Sequence, residues 1–279
     1  LFERNREPLP INPLTHCLVA LLSILVACSA AITPTPTTPP VVLRIGFADS
    51  VRPLMEAIMP IYGDTAPAVS WETEVGHAAT LLDDLQLGRL DAVLTPDEPD
   101  GGEEWWTSPV ALEGLALIVN PENQVTGLTL PQAQAIFQGQ IWSWDAVGGA
   151  AAEIVVVTRE EGSAAAELFQ RMVMEEHRVT LTAVVLPDTA AVLDYVALHP
   201  WAIGYVTAAF VAVDGRVKTL AVEGIIPSPE TVADQSYPLH FPIYFVARQE
   251  LVGPLRQFPA WLLSRDGQAV IGRLYGRRQ

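Results

Sequence analysis

From Val41 onward the chain alternates short apolar runs with amphipathic stretches of helical period, and this alternation limits the folds open to it. Short apolar runs bounded by turn residues read as strands; apolar positions recurring every three or four residues read as helices. Strands are expected at Leu43 to Phe47, Val69 to Val75, Asp91 to Leu94 and Leu115 to Val119, with helices at Val51 to Tyr62 and Ala78 to Leu87. A second series follows: helix Pro131 to Gln138, strand Ile154 to Thr158, helix Ala164 to Glu175, strand Thr182 to Leu186, helix Thr189 to Leu198 and strand Ala202 to Val206. The segment "FPIYFVAR" reads as a late strand, and "PLRQFPAWLLSRDGQAVIGRLYG" as one or two closing helices. Alternation of this kind implies an α/β fold, a parallel or mixed sheet covered by helices. No repeat of about 20 to 50 residues is evident.

Charge and cysteine content narrow the function classes. With 32 acidic against 16 basic residues the formal charge is −16, which argues against a nucleic-acid backbone or an anionic membrane surface as partner. Any anion it binds must be held locally. Apolar residues make up 50% of the 279 positions, ample for a buried core in one large domain or two lobes.

At the start of the chain, Arg4 and Arg6 precede an apolar segment from Cys17 to Ala27 that is too short for a finished transmembrane helix. It ends in "LVAC", Leu25 to Cys28, which resembles a bacterial lipobox. That resemblance implies a lipoprotein signal peptide over residues 1–27 and lipidation of Cys28, with an ordinary signal peptide as the alternative. The run "AITPTPTTPP" within residues 28–40 then serves as a stiff, extended tether. The expected location is extracytoplasmic, anchored to the cell membrane by the lipidated cysteine. Cys17 would leave with the signal, so the mature chain keeps one cysteine and no internal disulfide.

One stretch carries anion chemistry. In "EIVVVTREEGSAAAELF", residues 153–169, a strand ends at Thr158 and Arg159, turns at Gly162 and reopens as a helix at Ser163. The first N–H groups of a helix lack intrahelical partners and point outward with the positive end of its dipole. Arg159 adds a fixed cationic fork beside them. The plainer alternative is a βα turn with a surface arginine paired to Glu160 or Glu161.

Several stretches in order resemble the phosphate-binding, type 2 periplasmic binding-protein family that delivers solute to ABC importers. They are "LTLPQAQAIFQGQIWSWDAVGG", "AIGYV", "YPLHFPIYFVAR" and "FPAWLLSRDGQAVIGRLYG", together with the Arg159 turn, and the likeness runs from about Leu43 to Gly276. The resemblance implies two α/β lobes joined by crossing strands with a ligand cleft between them. Lobe one would be residues 41–120 with 238–279, and lobe two residues 121–237. The implied partners are a small oxyanion, phosphate first, and ABC permease subunits, with the protein itself a monomer.

Carried over residue by residue, the family's arginine and Gly-Ser-Gly-Thr pattern matches Arg159, Gly162 and Ser163, while Ala164 stands for glycine and Ala165 for threonine. In lobe one the Gly-Ser-Thr-Thr-type turn reads "FADSV", leaving Ser50 as the hydroxyl and placing Asp49 beside it. A carboxylate there repels a fully ionised oxyanion but accepts the proton of monohydrogen phosphate; the simpler use of either residue is as a helix cap. The Ser-Gly-rich turn reads "VGHAAT", keeping Gly76 and adding His77. The third element reads "DAVLTPDEPD", where Pro96 separates Thr95 from Asp97 and displaces the family's carboxylate by one position.

No HExxH, P-loop or G-x-S-x-G occurs, and His77, His177, His199 and His240 show no metal-ligand spacing. Neither catalysis nor a cofactor is expected. The second reading is a sensory or scaffold module of the same fold with no transported ligand, suggested by Ala48, Pro96, Ala164 and Ala165 at site positions.

Overall fold

The structure, a computed structural model, describes residues 40–99, 105–248 and 251–278. The expected signal peptide, Cys28 and nearly all of the tether lie outside the described residues.

In the first part of the chain, β1 (Val41–Ala48) leads through a 3-10 turn at Asp49–Val51 into α1 (Arg52–Thr65). Leu54, Met55, Ile58 and Tyr62 of that helix are buried on one face, the spacing that docks an amphipathic helix on a sheet. Then come β2 (Val69–Gly76), α2 (Ala78–Gln86), β3 (Ala92–Thr95) and the long β4 (Trp105–Val119). Next are β5 (Gly127–Leu128) and α3 (Leu130–Phe137), the latter opened by a Thr129–Gln132 capping box. β6 (Val155–Arg159) runs into α4 (Ala164–Phe169), which continues as a π-helical turn over Gln170–Met174. After these come β7 (Val184–Leu186), α5 (Thr189–Leu198), β8 (Ala202–Thr207) and α6 (Ala208–Asp214). The chain closes with β9 (Lys218–Thr219), β10 (Ala221–Val222), α7 (Pro229–Ala233), β11 (His240–Arg248), α8 (Gly253–Leu262) and α9 (Arg265–Ile271).

Nine strands form one mixed sheet in the order β2-β1-β3-β11-β4-β8-β6-β7, with β9 also on β4. β1 pairs in parallel with β2 and β3, and β6 in parallel with β7 and β8. Two antiparallel strands join these groups. β11 pairs with β3 and β4, while β4 exchanges partners along its length: Trp105 to Gly114 run beside β11, and Leu115 to Val119 beside β8. Parallel strands present their carboxyl ends to one edge, where open α/β sheets hold ligands. Here the two parallel groups run in opposite directions on either side of β11 and β4, so the carboxyl ends of β1 and β2 approach those of β6 and β7 where β4 changes partners.

The expected strands and helices appear within a few residues, with three differences. The strand expected at Leu115 is the last third of β4, which begins earlier, at Trp105. Pro109 disguised it, since proline cannot donate to a ladder; it is accommodated beside a register shift between Ile243 and Tyr244 of β11. The helix from Ala164 is α-helical only to Phe169. The short α6 and α7 were not foreseen in the irregular stretch between β8 and β11.

An aromatic group anchors the second set of strands. Phe169 of α4 stacks on Tyr205 of β8 with centroids 4.0 Å apart, and Phe137 of α3 lies 4.4 Å from Phe169. Tyr205 also shares a 2.9 Å hydroxyl hydrogen bond with Thr158 and accepts from the Arg159 N–H at 3.3 Å. The end of β6 is thereby fixed by packing and by hydrogen bonds together.

Candidate functional site

Arg159 is the last residue of β6 and is only 7% exposed. A guanidinium so buried must place its donors. Nη1 donates to the Thr189 hydroxyl at 3.1 Å, and Nη2 to the Pro187 carbonyl at 3.0 Å and the Glu160 carboxylate at 3.1 Å. Nε is buried with no partner. The surface-arginine reading therefore fails on burial, although the Glu160 pairing it invoked is present.

Beyond Arg159 the chain turns at Gly162, whose φ of 83° lies in the left-handed region that glycine adopts without strain. Ser163 caps α4: its Oγ accepts from the Ala166 N–H at 3.3 Å and donates to the Glu160 carbonyl at 2.9 Å. The hydroxyl is thus engaged locally. The N–H groups of Ala164 and Ala165 open the helix, where no intrahelical acceptor exists for them.

Facing this turn is the end of β1. Neither Asp49 nor Ser50 makes a side-chain cap to the helix that follows, which corrects the capping use considered from sequence. Asp49 instead reaches across to α5: Oδ2 accepts from the Thr189 hydroxyl at 2.6 Å and the Thr189 N–H at 3.2 Å, and lies 3.6 Å from Arg159 Nη1. Oδ1 accepts from Arg52 Nε at 3.3 Å and Nη2 at 3.1 Å. Burial pushes the Asp49 carboxyl up, but these bonds and the Arg159 charge outweigh it and hold it below the usual carboxylate range. Ser50 is 4% exposed and its Oγ has no partner. His77 precedes α2 and donates from Nδ1 to the Gly162 carbonyl at 2.6 Å.

Between these elements lies a cavity of about 340 Å³. From the first strand group it is lined by Asp49, Ser50, Gly76 and His77, and from the second by Arg159, Ser163, Ala164 and Ala165. These eight are residues expected from sequence, although no two of the three segments that supply them are adjacent in the chain. Two others lie outside the lining. Thr95 is fully buried, with Oγ1 accepting from the Asp97 N–H at 3.2 Å, and Gly162 borders a neighbouring groove. Asp97 turns to a separate cavity and pairs with Arg171 at 3.0 Å.

Sequence reasoning missed Thr189, which bridges Asp49 and Arg159, and the lining residues Arg52, Glu160, Pro187 and Asp188. A signal existed in "LPDTA": a second strand-to-helix junction, capped by Asp188, at the same sheet edge as the Arg159 turn. The assembled groups offer a buried cation, one free hydroxyl and helix-opening N–H groups, a donor set suited to an oxyanion. Among the described residues no cluster of three His, Cys, Asp or Glu side chains has the arrangement of a metal site, and no helix is long and apolar enough to cross a membrane.

Known proteins share this fold. A crystal structure from Clostridium perfringens with bound phosphate, of a protein assigned as a phosphate ABC transporter substrate-binding protein, superposes with a TM-score of 0.78 at 27% identity, covering 85% of this chain and 100% of that one. An ABC-type phosphate transport receptor from Vibrio cholerae superposes with a TM-score of 0.69 at 26% identity, over 85% of this chain and 100% of the other. The phosphate-binding protein PstS of Bacillus subtilis (strain 168) is 24% identical over 234 residues, 82% of this chain and 77% of that protein. Residues 34–266 match the PBP superfamily domain, and on that match the chain belongs to the PBP superfamily, with the α/β type 2 periplasmic binding-protein fold.

Proposed function

We propose that this protein is an extracytoplasmic solute-binding lipoprotein that binds phosphate, or a closely related small oxyanion, non-covalently for an ABC importer. The observation that carries the reading is Arg159, buried at the end of β6 with an unpartnered Nε and lining one cavity with Ser50, whose hydroxyl is also unpartnered. In this reading Arg159, Ser50 and the N–H groups of Ala164 and Ala165 contact the oxyanion, and Ser163 holds the helix start in place. Asp49, Gly76 and His77 form the opposite wall, with Thr95 buried at the end of β3 beside it, and Gly162 meets that wall from the Arg159 side through its carbonyl bond to His77. Residues 41–120 with 238–279 act as one lobe and residues 121–237 as the other, closing over the solute by a hinge. Cys28 anchors the protein to the membrane, and permease subunits receive the solute. The relatives, named for phosphate binding and phosphate transport, support this solute class.

Calorimetric titration of the purified protein with phosphate, sulfate and molybdate tests the reading. Saturable one-site binding, tightest for phosphate, is expected. Absence of binding to all three at millimolar concentrations would leave the sensory or scaffold role in its place.

A further inference from the structure

We infer that Asp49 is a tethered anion that occupies the Thr189 side of the oxyanion site in the ligand-free protein and clasps its two walls together, so that a ligand binds by displacing it. The inference rests on the oxyanion reading above and assigns Asp49 a role in it. Three observations converge. First, the Asp49 carboxylate takes the donors an anion would use: the N–H that opens α5, the Thr189 hydroxyl, and the field of Arg159 at 3.6 Å. α5 is a ten-residue helix, and Thr189 is its first residue. Second, Arg52, the first residue of α1, holds the other carboxylate oxygen, so the side chain is braced on its own side while Oδ2 reaches across the cavity to Thr189. Third, Arg159 is 7% exposed and keeps Nε without a partner, so the site retains donor capacity that Asp49 does not fill.

Charge then makes the two anions competitors. The lining holds the carboxylates of Asp49, Glu160 and Asp188 against the guanidiniums of Arg52 and Arg159. A dianion placed beside an ionised Asp49 is repelled in a setting where screening is weak, unless it replaces that carboxylate at Thr189 and Arg159. Displacement releases the clasp between β1 and α5. The His77–Gly162 contact still bridges the same two walls, and Asp97–Arg171 joins the same two strand groups beside the separate cavity, so closure itself survives.

The test has one arm that needs no ligand. Site-resolved amide exchange of the ligand-free protein should show the Thr189 N–H protected in wild type and exchanging faster in Asp49→Ala, with the rest of α5 unchanged. In the second arm, phosphate titration of Asp49→Ala and the uncharged isostere Asp49→Asn should show binding roughly three- to thirtyfold tighter than wild type, because the competing anion is gone. Unchanged Thr189 exchange in Asp49→Ala overturns the clasp whatever phosphate does. Faster exchange with weaker phosphate binding overturns displacement and makes Asp49 an acceptor for a ligand proton. If wild type fails to bind phosphate and the variants bind it, the inference is supported. If none binds, the phosphate reading fails and displacement with it, while the exchange arm still decides the clasp.

Discussion

Arg159 and Thr189 show how residues of equal weight differ in legibility. Arg159 could be read because its strand, turn and helix start are contiguous, so its setting is written within a dozen positions. Thr189 could not, because its importance depends on Asp49, which lies 140 residues earlier and arrives only through the fold. Thr189→Val keeps the shape but removes the hydroxyl that donates to Asp49 and accepts from Arg159. A bond to a charged group is worth about 1.5 to 3 kcal/mol, so urea unfolding of the ligand-free variant should show a loss of that size. Two serines of the same cavity should part company. The Ser50 hydroxyl is free, so Ser50→Ala should weaken phosphate binding by about 0.5 to 1.5 kcal/mol while leaving stability nearly unchanged. A Ser50→Ala protein that binds as tightly as wild type would remove that hydroxyl from the site.

Ser163 belongs to the element scale, since its hydroxyl is engaged at both ends within the turn and helix start. Ser163→Ala should cost about 0.5 to 2 kcal/mol of stability in thermal or urea melts, through loss of the cap, with little direct effect on phosphate contacts. The helix start itself was visible in the sequence; which of its groups remain free was not, because a cap and a ligand donor use the same residue type. β4 shows the opposite failure. Trp105 to Val119 is one strand, yet Pro109 broke the pattern by which strands are recognised, and only its pairing with β11 restores it.

At the scale of the whole molecule, the α/β class follows from the alternation of strand and helix periods, and that much was readable from Val41 to the closing helices. The point at which β4 leaves β11 for β8 was not, since pairing partners leave no local trace. Glu113 sits at that point, 1% exposed, with Oε1 accepting from the Gly114 N–H at 2.8 Å and Oε2 without a partner. Burial pushes its carboxyl up to about 8, against the pull of the N–H groups of Gly114, Ala209 and Ala208. The folded state therefore keeps a proton that the unfolded chain releases near 4.5. The stability this contributes is complete below that value and is lost as pH rises through about 8. Wild type should melt several degrees lower at about pH 8 than at about pH 5, and Glu113→Gln should flatten that slope. Equal slopes in the two proteins would show that Glu113 does not hold its proton. Asp49 and Asp91, both held below the usual range, act in the opposite sense, contributing stability above about pH 4 that is lost on further acidification. The central claim, that the cavity at the end of β6 binds an oxyanion through Arg159, is met most directly by calorimetric titration of phosphate into wild type, Arg159→Lys and Arg159→Ala, each first shown to be folded by its melting curve. Truncating a buried, hydrogen-bonded charge contact should cost about 2 to 5 kcal/mol, so Arg159→Ala should bind about thirtyfold more weakly or worse, with Arg159→Lys between because ammonium cannot form the fork. A folded Arg159→Ala protein that binds phosphate as tightly as wild type would contradict the account.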